Sequence, residues 1–237
     1  MERSSRRPSV VGHLALGRAG YREVLELQRR LHARRRVGKI DDLVLTVEHD
    51  PVFTIGRTGS REHLLVDPER LDREGIDILD IERGGDITYH GPGQLVVYPI
   101  LDLRARGLGV KDFVDRLEET AIRVLADCNI DAARRPGYPG VWVAETRADD
   151  ARETRKIASI GVYVKGWVTM HGLALNVAVN AEHFAMINPC GLPVTAVSVA
   201  ELVNPVPSLD VVRGRFLVRL GEVFGWELRE IAWEDVE

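Results

Sequence analysis

Cys190 stands in the run Asn188-Pro189-Cys190-Gly191, between a proline and a glycine and outside any apolar period. Those neighbours predict a turn, where a substrate can reach a thiol. A free thiol titrates near ~8.5, so only a few per cent is thiolate at neutral pH, and complete deprotonation raises a rate at most about thirtyfold. Any larger acceleration comes from positioning and from donors aimed at a developing oxyanion. A nucleophilic thiol also needs a base or a cation beside it. Lys156 heads the apolar run Lys156-Ile157-Ala158-Ser159-Ile160-Gly161. Pointed into a pocket, its amine loses hydration and basicity and becomes able to take a proton. His90, near the end of a glycine-rich stretch, and His171, in Met170-His171-Gly172-Leu173-Ala174, compete for that role. Spacing alone leaves each residue a plain alternative: an inert turn cysteine, the solvated end of a strand, two structural histidines.

The glycine-rich stretch is Arg83–Gly93, RGGDITYHGPG. Gly84, Gly85, Gly91 and Gly93 permit close backbone approach to a ligand, or turns with positive φ. No Gly-Lys-Ser/Thr follows, so this is not a P-loop, and the third glycine of a dinucleotide fingerprint is missing. The seven histidines are dispersed and none has close ligand spacing to a cysteine, so no metal site is expected. The two cysteines cannot build a disulfide framework, and Cys128 extends an apolar helical stripe as a packing residue.

Composition narrows the class. With 29% charged and 45% apolar residues, the 237-residue chain can bury a sizeable core. A net charge of −4 and 6% aromatics argue against nucleic-acid binding. No apolar run is long enough to span a bilayer. No apolar stretch follows Arg3, Arg6 and Arg7 to make a secretory signal, so the reducing cytoplasm is the expected compartment. The total hides an asymmetry: residues 1–39 hold 11 basic and 3 acidic side chains, a net of +8, and the remainder holds 21 and 33, a net of −12. The run Arg29, Arg30, Arg34, Arg35, Arg36, Lys39 is either a solvated helix face or a docking surface for an acidic partner.

The elements that must position these groups alternate along the chain. Strands are predicted over 10–16, 43–48, 52–55, 76–81, 94–101, 141–143, 156–164, 168–179 and 227–231. Helices are predicted over 20–36, 67–74, 110–127 and 209–224, the second with Asp67 as N-cap, Pro68 in the first turn and Gly75 at its end. Gly137–Gly140 reads as a turn, and the polar stretch Thr146–Arg155 as an exposed loop. Asn204–Ser208, with two prolines, could mark a boundary to a small C-terminal piece. The balance is mixed α/β (α+β), with largely antiparallel or mixed sheets and flanking helices.

Five motifs together resemble one family. The run Arg83-Gly84-Gly85-Asp86-Ile87-Thr88-Tyr89-His90-Gly91-Pro92-Gly93-Gln94-Leu95-Val96-Val97-Tyr98-Pro99 is similar to the signature of the octanoyl-[acyl-carrier-protein]:protein octanoyltransferases, also called lipoate–protein ligase B. The likeness continues, in the family's order, through Gly140-Val141-Trp142-Val143, Lys156 to Val162, His171 to Asn176 and Pro189-Cys190-Gly191, spanning roughly Val10 to Ala232. The resemblance implies the catalytic-domain fold shared with biotin and lipoate protein ligases. It implies one catalytic domain over 10–237 behind a flexible extension over 1–9. It implies transfer of an octanoyl chain from acyl carrier protein to a lysine of lipoyl domains, those of 2-oxo-acid dehydrogenase acyltransferase subunits and of the glycine-cleavage H protein. Cys190 would be the acyl-thioester nucleophile, and Lys156 would lower its pKa and shuttle its proton. Arg83, Gly84, Gly85, Asp86, Ile87, Thr88, Tyr89 and His90, with Ser159, Ile160, Gly161, Gly172, Leu173 and Ala174, would line the acyl pocket.

Thioester exchange is close to isoergic and transfer from thioester to amine runs downhill, so neither ATP nor a metal or other cofactor is expected. A monomer without membrane or nucleic-acid partners is expected as well. The competing classes are an ATP-dependent lipoate or biotin ligase, a cysteine hydrolase using His90 or His171, and a binding module without turnover. The Arg-rich N-terminus and the 146–155 stretch are the least family-like segments.

Overall fold

A computed structural model describes residues 9–146, 152–188 and 195–236. In chain order the first half runs β1 (Ser9–Ala19), α1 (Tyr21–Arg36), β2 (Leu43–His49), β3 (Val52–Ile55), α2 (Pro68–Glu74), β4 (Asp77–Asp80), β5 (Ile87–His90), β6 (Gln94–Ile100) and α3 (Val110–Ala126). The second half runs β7 (Ala133–Arg135), β8 (Tyr138–Thr146), β9 (Arg152–Lys165), β10 (Val168–Asn176), α4 (Ala181–Phe184), α5 (Val199–Leu202), α6 (Leu209–Phe224) and β11 (Trp226–Glu230).

An eight-stranded sheet has the order β11-β1-β2-β6-β10-β9-β8-β7, and a three-stranded sheet the order β4-β3-β5. Among the named strands of the described residues, β1 with β11, β1 with β2, and β3 with β4 pair in parallel and the other pairs are antiparallel. The predicted mixed α/β class with largely antiparallel sheets and flanking helices is what forms.

The large sheet is buried on both faces. Alternation along β6 sends Leu95 and Val97 to one core, with α3 and α6, and Val96 and Tyr98 to the other, with α1. On α3, Phe113, Leu117, Ala121, Val124 and Leu125 recur at helical spacing and are fully buried. Cys128 continues that stripe into the same core, as its spacing predicts. The start of α2 is fixed by Asp67, whose Oδ1 accepts from Arg70 N at 2.8 Å, and its end by Gly75 at φ 63°.

Four expectations change. The turn predicted at 137–140 lies at Pro136–Gly137, and Tyr138 already pairs with Arg135. The stretch 146–155 is a loop only between its ends: Thr146 belongs to β8 and Arg152–Arg155 to β9, because the backbone ladder continues (Val143 opposite Arg155, Ala144 opposite Thr154) whatever the side-chain polarity. Residues 147–151 lie outside the described residues. No separate piece follows 204–208, since Val212, Phe216, Leu220 and Phe224 of α6 share the core of α3 and β6. Ser9, expected in the extension, opens β1; residues 1–8 lie outside the described residues.

The basic run is partly consumed within the chain. Arg29 makes a two-pronged bond to Glu82 at 2.9 and 3.0 Å. Arg35 Nε lies 2.6 Å from the buried Asp42 carboxylate, and Arg34 donates to Val236 O. Arg30, Arg36 and Lys39 remain exposed.

Candidate active site

A cavity of about 430 Å³ lies on the α1 face of the large sheet, within the range of small-molecule sites. Arg83–Thr88 and His90 form one wall, Ser159–Gly161 of β9 and Gly172–Ala174 of β10 another, and Lys156 reaches into it. Of the substrate-binding candidates only Tyr89 is not brought to the cavity. Its ring packs against Phe53 and Phe184, and its hydroxyl lies 2.7 Å from His183 Nδ1.

Lys156 is held from two sides. Its Nζ lies 5.1 Å from the centroid of the Trp142 ring, a cation–π contact. Space for its stem comes from Gly140, at φ 123°: a Cβ there would meet Lys156 Cε at 2.5 Å and Ala158 O at 2.5 Å. The Lys156 backbone donates to Thr195 O at 3.0 Å and accepts from Val197 N at 3.0 Å.

Cys190 lies outside the described residues, which stop at Asn188 and resume at Thr195. Both flanks reach the cavity. Phe184 and Ala196 line it, and Asn188 N donates to His63 O at 2.8 Å.

The glycine-rich wall is stitched to its neighbours rather than left open. Arg83 Nη2 donates to Thr54 O at 2.6 Å and to Thr54 Oγ1 at 2.9 Å, so its guanidinium ties the wall to β3. Asp86 lies 2.6 Å from His63 Nδ1. Gly84 N donates to Val162 O at 3.0 Å, and a Cβ on Gly161 would strike Gly84 O and Arg83 Cδ, both at 2.9 Å. This glycine is needed for strand-to-loop contact, before any ligand is considered.

Neither histidine supplies a cation. Burial holds His90 well below its ordinary value, with His49 adding to the effect. Gln94 Nε2 donates to Tyr89 O and Asn176 Oδ1, so its Oε1 accepts from His90 Nδ1 at 2.7 Å. That chain makes His90 an Nδ1–H tautomer with a lone pair on Nε2. Burial also pushes His171 down to about 3. His171 sits at φ 60°, and neither ring nitrogen has a hydrogen-bond partner among the described residues.

Sequence reasoning missed Tyr21, Trp142, Asn176 and Phe184 as wall residues. Trp142 and Asn176 belong to recognised motifs, and their strand alternation could have flagged them. Tyr21, at the start of α1, arrives through tertiary packing, stacked on His90 at 5.5 Å. Among the described residues no helix is long and apolar enough to cross a membrane.

Comparison with known proteins adds a consistent picture. Residues 20–220 match the family model described as the lipoyl protein ligase A/B catalytic domain. An octanoyltransferase of Syntrophobacter fumaroxidans is 42% identical over 225 residues, covering 94% of this chain and 95% of that protein. An octanoyltransferase of Solibacter usitatus is 45% identical over 213 residues, 90% of this chain and 92% of that protein. Among solved structures, a bipartite lipoate protein ligase from Thermoplasma acidophilum is similar with a TM-score of 0.67 at 17% identity, covering 96% of this chain and 89% of that one. At that identity the likeness is one of fold.

Proposed function

The chain belongs to the lipoyl protein ligase A/B catalytic-domain family and is an acyltransferase that moves octanoyl groups in protein lipoylation, and from that premise we propose that the group travels through a thioester on Cys190, with Lys156 as the proton shuttle. The Cys190 thiolate attacks the carbonyl of the octanoyl thioester on acyl carrier protein. A tetrahedral oxyanion forms and collapses, the carrier sulfur leaves, and Lys156 returns the proton to it. The amine of a lipoyl-domain lysine then attacks the Cys190 thioester. An amide forms, the C–S bond breaks, and the Cys190 thiol is restored. Each step exchanges one acyl bond for another, so no nucleotide or metal is consumed.

The observation that supports this reading is the pairing of Lys156 with Thr195 and Val197, the first residues described after the stretch that carries Cys190. A lysine lining an acyl-sized cavity and tied to that flank is suited to serve a thiol on the same segment. Protonation then belongs to the Cys–Lys pair rather than to either group. The remaining candidates, Arg83–His90 apart from Tyr89, Ser159–Gly161 and Gly172–Ala174, hold the chain.

The acceptors are the lipoyl domains of 2-oxo-acid dehydrogenase acyltransferase subunits and the glycine-cleavage H protein, and the enzyme works as a monomer in the reducing cytoplasm, where the thiol stays free. The test is transfer itself. Purified protein, octanoyl-acyl carrier protein and a lipoyl domain, without nucleotide, should yield the octanoylated domain by mass spectrometry. Product only from free octanoic acid plus ATP would assign the chain to the adenylating ligases instead.

A further inference from the structure

The cavity is lined along β9 and β10 from Lys156 to His171. By the β9–β10 register, Ser159 lies opposite Ala174, Gly161 opposite Gly172 and Val162 opposite His171. Lys156 and the His171 level are six residues apart along β9, about 20 Å at the usual strand rise. Midway, Val96 on β6 is paired to Ala174 on β10, with Ser159 of β9 on the other side. At the far level stand His171 on β10 and Tyr98 on β6, both lining the cavity. The rings of Tyr98 and His171 are 6.4 Å apart, and the Tyr98 hydroxyl is bound to His49 Nε2 at 2.8 Å.

His171 is fixed at that level more firmly than packing alone requires. It occupies the left-handed region at φ 60°, a costly backbone for a non-glycine residue. Its N–H is held by Gln28 Oε1 at 2.9 Å. The Glu82 carboxylate, with Oε2 3.9 Å from Nε2, is too far for a hydrogen bond and is itself locked by Arg29. The imidazole is 1% exposed and neither nitrogen bonds a protein group among the described residues.

We propose that His171, backed by Tyr98, is the far wall of the acyl pocket and sets the preference for an eight-carbon chain over longer ones. An octanoyl chain has seven carbon–carbon bonds of ~1.5 Å and extends about 9 Å. The rest of the roughly 20 Å is taken by the lysine stem, the thioester and the imidazole. Two further methylenes would have to displace the ring. This inference rests on the octanoyl-thioester reading given above.

The test is an internal competition. Equimolar octanoyl-, decanoyl- and dodecanoyl-acyl carrier protein are supplied in one tube, and the acylated lipoyl domains are resolved by mass. The ratio of products does not depend on how much of a variant is folded. His171→Gly removes the ring at a φ that glycine adopts freely, and should raise the decanoyl-to-octanoyl ratio about tenfold, as two methylenes become buried. His171→Asn, also tolerant of that φ, should move it the same way by less. Relative thermal stabilisation by free octanoate and decanoate gives the same reading for a variant with too little turnover. Ratios within twofold of wild type in both variants overturn the proposal while leaving the octanoyl reading intact. Wild-type protein that transfers nothing from any carrier thioester overturns both.

Discussion

Lys156 and Ala196 form an isolated parallel bridge, flanked by hydrogen bonds from Lys156 N to Thr195 O and from Val197 N to Lys156 O, both at 3.0 Å. The lysine that reaches into the cavity is thereby bonded to residues 195–197. The described residues on either side of 189–194 are both bonded: Asn188 N donates to His63 O, and Thr195 O accepts from Lys156 N.

Gly140→Ala should disable this arrangement from a position with no side chain. A Cβ would collide with Lys156 Cε and Ala158 O, and φ 123° is a glycine conformation. The expected cost is roughly 1–3 kcal/mol of stability, together with a fall in octanoyl transfer of more than tenfold. Denaturant unfolding and kcat measured on the same preparation separate the two effects.

The base assignment is open to a direct comparison. Alkylation of Cys190 across pH should show an apparent pKa that rises in Lys156→Ala, where the cation is gone. The same profile should be unchanged in His90→Ala, because burial keeps that ring neutral and its Nδ1 is committed to Gln94. The reverse pattern would transfer the role to His90.

Charge reversal on the N-terminal basic run should split into two phenotypes. Arg35 and Arg106 both bind Asp42, which is 4% exposed, so Arg35→Glu should destabilise the fold by about 3–5 kcal/mol. Arg30→Glu and Arg36→Glu lie on the exposed side and should change stability by no more than ~0.5 kcal/mol. They should raise KM for an acidic carrier and flatten its salt dependence. Kinetics indifferent to the exposed pair would leave the run a solvated helix face.

Stability should fall on mild acidification. Burial lowers His49 to about 4 and His171 to about 3, and holds His90 well below its ordinary value. In the unfolded chain these rings take up protons as pH drops through about 6.5, while in the folded chain they stay neutral. Their contribution is therefore complete above that pH and lost progressively below it, at up to about 1.4 kcal/mol per pH unit per group. Glu82, held below its ordinary range by Arg29 against the opposing effect of burial, joins only at lower pH. Urea midpoints at pH 7.5 and pH 5.0 should differ accordingly, and equal midpoints would mean the rings are protonated in place.

What could be read from the chain, and what could not, divides along physical lines. The α2 caps, the α3 stripe and Cys128 depend on neighbours within a few residues, and their spacing declares them. The cavity wall was legible only because whole motifs resemble a family, and a contiguous motif hides alternation. The motif includes Tyr89 with its neighbours, although its ring lies on the side of β5 that packs on Phe53 and Phe184. Arg83 lines the cavity with the rest of its motif, but the bond of its guanidinium to Thr54, 29 residues away in sequence, has no local signature. The strain at His171 and the bridge from Lys156 to Ala196 arise from tertiary packing, for which no local pattern exists.

The most direct measurement is the intact mass of the protein after incubation with octanoyl-acyl carrier protein in the absence of ATP. A single octanoyl adduct should appear, map to Cys190, be discharged by a lipoyl domain and be missing from Cys190→Ala. An adduct that persists on another residue in Cys190→Ala, or transfer to the lipoyl domain that proceeds without Cys190, would contradict the thioester route.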